Sequence, residues 1–190
     1  MNDNVFSIFG IKPDNPIWHD WQWQCKNRIT GIDELARVVS LSEKDKQDIS
    51  ICLNRFRMAI TPYYASLMDP DNPMCPIRMQ AIPTIFETCK LPWELEDPLN
   101  EEFDSPVKYI VHRYPDRVLM VLTDICPMFC RHCTRKREWQ HGWWVRTDDQ
   151  IEPMLDYIRN NKKVRYVILL GECCLPHASR PPSPSANRVI

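Results

Sequence analysis

The sequence predicts an α/β fold: a helical N-terminal region over residues 1–106, the first βαβ unit of a parallel sheet over 107–171, and a separate tail over 172–190. Three observations predict it. Apolar residues recur at helical spacing before residue 100, as in Ile49, Cys52, Leu53 and Phe56. Two short aliphatic runs, Arg117–Thr123 and Val164–Leu170, read as strands. Between them, Thr147-Asp-Asp-Gln150 has the pattern of a capping box, and Ile151, Met154, Leu155 and Ile158 then share one helical face. Strand, loop, helix, strand is a crossover unit, so the two strands are parallel.

The elements follow in order. Trp18, Trp21, Trp23 and Ile29 lie in a mixture suited to an amphipathic helix, and the aromatic rings there read as packing residues. Thr30 is the expected N-cap, with Asp33 at the third helical position, opening Glu34–Val39, and Ser42 does the same for Glu43–Ile60. Thr61-Pro62 starts a short helix through Leu67, because proline suits the first helical position. Asp69-Pro-Asp-Asn-Pro73 is a turn. Residues 76–89 read as one more helix interrupted at Pro83.

Composition narrows the function classes. The chain has 190 residues and a formal net charge of −1, which gives no support to a nucleic-acid surface or a membrane-steering field. The N-terminus has no signal-peptide pattern, and the apolar runs are too short to span a bilayer. Nine cysteines show no disulfide framework. Cys25, Cys52, Cys75 and Cys89 are scattered and are expected as free or buried thiols in a reducing cytoplasm.

The other cysteines carry the chemistry. Cys126, Cys130 and Cys133 form C-x3-C-x2-C directly after the first strand. Three thiolates can hold three irons of a [4Fe–4S] cubane and leave the fourth iron open, whereas an electron-transfer cluster takes four cysteines. Zinc held by the same thiolates and by His132 or His141 is the competing reading, although structural zinc sites more often pair two C-x2-C knuckles. On composition alone, Arg113, Arg117 and Arg135 read more readily as solvated charges than as ligand-binding groups.

Longer motifs point to a family. Asp14-Asn-Pro-Ile-Trp-His-Asp-Trp-Gln-Trp-Gln, Arg57-Met-Ala-Ile-Thr-Pro-Tyr-Tyr, Gln80-Ala-Ile-Pro-Thr, His112-Arg-Tyr-Pro-Asp-Arg-Val and Cys130-Arg-His-Cys-Thr-Arg-Lys-Arg occur in that order. Together they resemble the N-terminal half of the lysine 2,3-aminomutase family of radical S-adenosylmethionine enzymes, from about residue 14 to 170. The resemblance implies a β/α barrel, here incomplete, and three cofactors: a [4Fe–4S] cluster, S-adenosylmethionine and pyridoxal 5′-phosphate. It implies an isomerase that moves an amino group from C2 to C3 of an amino acid, lysine first and glutamate as the alternative. An external electron donor and a homo-oligomer belong to the same expectation. By matching position, Cys126, Cys130 and Cys133 are the cluster ligands, Tyr114 and Arg117 contact pyridoxal phosphate, and Arg135 pairs with the substrate carboxylate.

The match stops near residue 170. Where the family has a glycine-rich Ser-Gly-Gly-Asp turn, this chain reads Leu170-Gly-Glu-Cys-Cys and then a Pro/Ser-rich stretch. The expectation is a frameshift or aberrant end, a disordered tail, no lysine for pyridoxal phosphate, and a fragment inactive by itself. A non-catalytic iron–sulfur-binding fragment is the remaining alternative.

Overall fold

A computed structural model describes residues 4–140 and 145–171. The tail, Cys173, Cys174 and His141 therefore lie outside the described residues. The chain divides into two compact units, one of Met1–Glu96 with Pro127–His141, the other of Asp97–Cys126 with Gly142–Ile190. The cysteine loop thus begins in the second unit and continues in the first.

The first unit is a set of short helices. Its helices are α1 (Asn4–Ile8), α2 (Trp21–Lys26), α3 (Ile32–Val38), α4 (Glu43–Leu53), α5 (Pro62–Ser66) and α6 (Pro76–Ala81). Single 3-10 turns stand at Pro16–His19 and Ile85–Thr88. Helices this short are marginal alone, and tertiary packing sustains them. Val5, Leu35, Ile49, Ile60, Ala65 and Ala81 close their common core with 2% exposure or less. Trp18 belongs to this core and leans on Phe6, with centroids 4.5 Å apart, so it is a packing residue.

Local chemistry sets the helix limits. Ser42 and Asp45 exchange two hydrogen bonds, Ser42 N–H to the carboxylate at 2.9 Å and Asp45 N–H to the hydroxyl at 3.1 Å, a complete capping box. Thr61 Oγ1 accepts the Tyr64 N–H and caps α5. Two expectations need correction. The N-cap of α3 is Gly31, not Thr30, because the Glu34 carboxylate takes the N–H groups of both Thr30 and Gly31. Helix α4 ends at Leu53, not Ile60, because the backbone of Ile60 pairs instead with Ile29 at 2.8 and 3.0 Å. The expected interruption at Pro83 separates α6 from the following turn.

The second unit is a mixed sheet of β1 (Ile110–Tyr114), β2 (Arg117–Val121) and β3 (Tyr166–Leu170), in the order β1-β2-β3. Strands β2 and β3 are parallel, with Arg117 opposite Tyr166 and Val121 opposite Leu170. Helix α7 (Asp148–Asn160) forms the crossover, so the expected βαβ unit is present. Its core is Ile110, Val118, Met120 and the fully buried Met154 of α7. Strand β1 was not expected. It pairs antiparallel to β2 through the tight turn Tyr114-Pro-Asp-Arg117. Strand β3 is an exposed edge, with Tyr166, Val167, Ile168 and Leu169 between 41% and 56% exposed. The fold is mixed α and β with a small three-stranded sheet.

Candidate functional site

The cysteine loop leaves the C-terminal end of β2, and its base is closed by the backbone. Thr123 bridges Val145, and Arg146 N–H donates to Leu122 O at 2.8 Å. Thr123 Oγ1 accepts the Ile125 N–H and turns the chain toward Cys126, which is half-buried.

The rest of the described loop folds onto the helical unit. Met128 packs against that unit's core. Phe129 is fully buried beneath the Arg57 guanidinium, 5.0 Å from its ring centroid. Its φ of 49° lies in the left-handed region, which a bulky residue enters only when its surroundings impose it. Cys130 and Cys133 follow, both half-buried, joined by Cys133 N–H to Cys130 O at 2.9 Å. Cys133 Sγ accepts the Arg135 N–H at 3.4 Å, the kind of sulfur contact that tunes a metal-bound thiolate.

Arg131, between these two cysteines, faces inward and is 6% exposed along its side chain. Its Nε and a terminal nitrogen grip the Glu87 carboxylate, the closest contact being 2.6 Å. The other terminal nitrogen donates to Arg57 O at 2.8 Å, and the Arg131 N–H donates to Gln80 O at 2.9 Å. Lys136 Nζ donates to the same carboxylate and lies 4.4 Å from the Phe56 ring centroid. Burial pushes the Glu87 pKa up, but the hydrogen bonds from Arg131 and Lys136 outweigh it and hold the carboxyl below its ordinary range. Burial lowers the Lys136 pKa, with Glu87 opposing. We take the network as charged near neutral pH, since a buried carboxylate held by two cations stays ionised.

Arg131 and Lys136 stand in the motif around the cysteines, but no local pattern in the sequence points to Glu87. The available signal was one of balance: a dense basic run that must pack against an apolar unit requires an acid to receive it.

The remaining expected residues lie elsewhere. Tyr114 and Arg117 are brought together at the hairpin turn, with the guanidinium 5.5 Å from the Tyr114 ring centroid. That turn is at the N-terminal end of β2, whereas the cysteine loop leaves the C-terminal end. Arg117 already makes two hydrogen bonds to Asp116, at 2.9 and 3.0 Å. Arg135 is half-buried and belongs to the loop segment that folds with the helices.

The donor chemistry fits a cubane cluster. Three uncrosslinked thiols share one loop, and one already accepts a backbone N–H. The Tyr64 hydroxyl is buried without a hydrogen-bond partner, and Cys130 is near enough to bear on it electrostatically, after the larger effect of burial. A single ion is a different matter. Among the described residues, no three His, Cys, Asp or Glu side chains converge on one metal ion. A cubane asks less of convergence, because each cysteine holds a different iron. At the hairpin, Asp116 holds two of the Arg117 nitrogens, so a phosphate there would have to displace an exposed ion pair.

No helix among the described residues is long and apolar enough to cross a membrane. No family model matches the chain. It is 48% identical over 154 residues to an L-lysine 2,3-aminomutase of Clostridium subterminale, covering 81% of this chain and 37% of the relative. It is 46% identical over 154 residues to an L-lysine 2,3-aminomutase of Acetoanaerobium sticklandii, with coverage of 81% and 37%. It is 39% identical over 154 residues to a glutamate 2,3-aminomutase of Clostridioides difficile, with coverage of 81% and 36%. The chain therefore spans little more than a third of the length of these curated relatives.

Proposed function

We propose that this chain, which belongs to the lysine 2,3-aminomutase family over the stretch it shares with those enzymes, is the cluster-holding part of a radical S-adenosylmethionine, pyridoxal-phosphate-dependent amino acid 2,3-aminomutase. The observation that carries this reading is the loop itself: C-x3-C-x2-C at the end of a parallel strand, with Arg131 between two of its cysteines held by Glu87. Cys126, Cys130 and Cys133 would hold a [4Fe–4S] cluster, which would supply the one-electron chemistry toward S-adenosylmethionine. The Cys133 sulfur already accepts the Arg135 N–H at 3.4 Å. Arg135 offers a planar fork to the substrate carboxylate. Tyr114 and Arg117 receive pyridoxal phosphate only after Asp116 yields the guanidinium.

The activity is an isomerisation of lysine to β-lysine. Glutamate is the alternative substrate, supported by the 39% identity to a glutamate 2,3-aminomutase. An external donor supplies the electron, the setting is cytoplasmic, and the assembled enzyme is a homo-oligomer. The sheet is the first part of a β/α barrel, a reading supported by the apolar run of β3 at an exposed edge. By itself the chain does not turn over substrate, in keeping with an occupied Arg117 and an uncovered sheet. It then serves as an iron–sulfur-binding fragment.

Anaerobic reconstitution with iron and sulfide tests the reading. The expected result is a brown, oxygen-sensitive chromophore that carries iron and sulfide and disappears in Cys130→Ala. Zinc uptake with no iron-dependent absorption would overturn it.

A further inference from the structure

We infer that Glu87 is the positioning residue of the cysteine loop: it fixes Cys130 and Cys133 before any metal arrives, acting through Arg131 and Lys136. The inference rests on the proposal that these cysteines are cluster ligands, but its geometry stands by itself.

Three observations converge. Glu87 closes the start of its own 3-10 turn by accepting the Thr84 N–H, and its carboxylate is only 10% exposed. Both of its cations come from the loop, Arg131 from between Cys130 and Cys133 and Lys136 from three residues past Cys133. The Arg131 side chain donates to Glu87 and to the backbone oxygens of Arg57 and Phe129. One ligand is thus one residue from a fixed point, and the other is two. A buried ion pair adds little net stability relative to apolar packing, but it specifies one geometry, because breaking it strands a buried charge. Two cations on one carboxylate apply that constraint on both sides of Cys133.

The position of Glu87 supports the role. It lies in the 3-10 turn Ile85–Thr88, whose start is held by the Thr84 N–H donating to Glu87 at 3.0 Å. Cys52 of α4 donates its thiol to Thr84 O at 2.8 Å, which ties this turn to the helical core. The loop is therefore referenced to α4 through one acid. The basic run is only partly available to neutralise a cluster, because two of its cations are already matched by Glu87.

Amide hydrogen exchange on the metal-free full chain decides the matter. The reporters are the Arg131 N–H, bonded to Gln80 O, and the Cys133 N–H, bonded to Cys130 O. In Glu87→Ala both are expected to accelerate by about tenfold more than the amides of α3 and α7, because local opening of the loop is eased beyond any loss of global stability. Glu87→Gln keeps the shape and one neutral acceptor and is expected to fall between. If Glu87→Ala does not fold, Lys136→Met gives a smaller acceleration confined to the same two amides. Unchanged exchange at both amides, or equal acceleration across α3 and α4, overturns the inference. On the reconstituted chain, Glu87→Gln is expected to lose iron to a chelator faster than wild type. A wild-type chain that takes up no iron overturns the cluster reading alone, since the amide measurement needs no metal.

Discussion

Glu87 also sets an acid limit on the fold. Its folded pKa lies below the ordinary value because two cations outweigh its burial. The folded state therefore binds fewer protons than the unfolded chain in the acid range, and stability falls as pH falls. The contribution is fully present above the unfolded glutamate pKa of about 4.3 and is lost as pH drops through the lower folded value. Lys136 shifts downward too, but its window lies at alkaline pH and does not mask the acid limb. Urea midpoints measured from pH 7 to pH 3 should decline steeply below about 4.3 in wild type and more gently in Glu87→Gln. Equal slopes would remove Glu87 from the acid limb. At neutral pH, Glu87→Ala is expected to cost about 3 kcal/mol, as one partner's loss leaves buried charge behind. The hairpin pair Arg117–Asp116 differs in kind, because both groups face solvent.

The sequence was most legible where one element carries its own signals. Thr147 and Gln150 mark the start of α7, whose apolar face reads at helical spacing, and both survive in the structure. Strands β2 and β3 were legible as aliphatic runs bounded by charge. Strand β1 was not, because Ile110-Val-His-Arg-Tyr114 has only two aliphatic residues and its pairing depends on a turn. The stop of α4 was illegible for a related reason: Ile60 fits the helical period, but a partner thirty-one positions away claims its backbone. Glu87 was illegible because its partners lie 44 and 49 positions later. Periodicity reports neighbours along the chain and not those across it. Within the second unit, Met154 is the side chain on which α7 rests, fully buried against Ile110, Val118 and Met120. Met154→Ala should cost about 2–5 kcal/mol by leaving a cavity, read as a lower urea midpoint. A loss below about 1 kcal/mol would mean that α7 is held by other contacts.

At the scale of the whole molecule, the outstanding feature is the β3 edge of the sheet, which no strand covers among the described residues. Tyr166, Val167, Ile168 and Leu169 are each at least 41% exposed, although a parallel strand of this composition is normally covered on both faces. Such an edge is a template for another strand. The purified chain is expected to self-associate with rising concentration. Ile168→Lys, which places a charge at the edge, should reduce that association in sedimentation velocity with little change in urea midpoint. A wild-type chain that sediments as one small species at all concentrations would contradict this view.

The long-range bond from Arg131 to the Arg57 carbonyl has a consequence in time. The two residues are 74 positions apart, so at ordinary rates of synthesis roughly 4–15 s separate their addition to the chain. Helices α1 to α6 and the turn bearing Glu87 are all synthesised before the first loop thiol. Closing so long a segment is also entropically the slow step of local folding. The receptor for the loop therefore exists before its ligands do. A newborn Cys130 meets a finished docking surface and spends little of its life as a loose, oxidisable thiol.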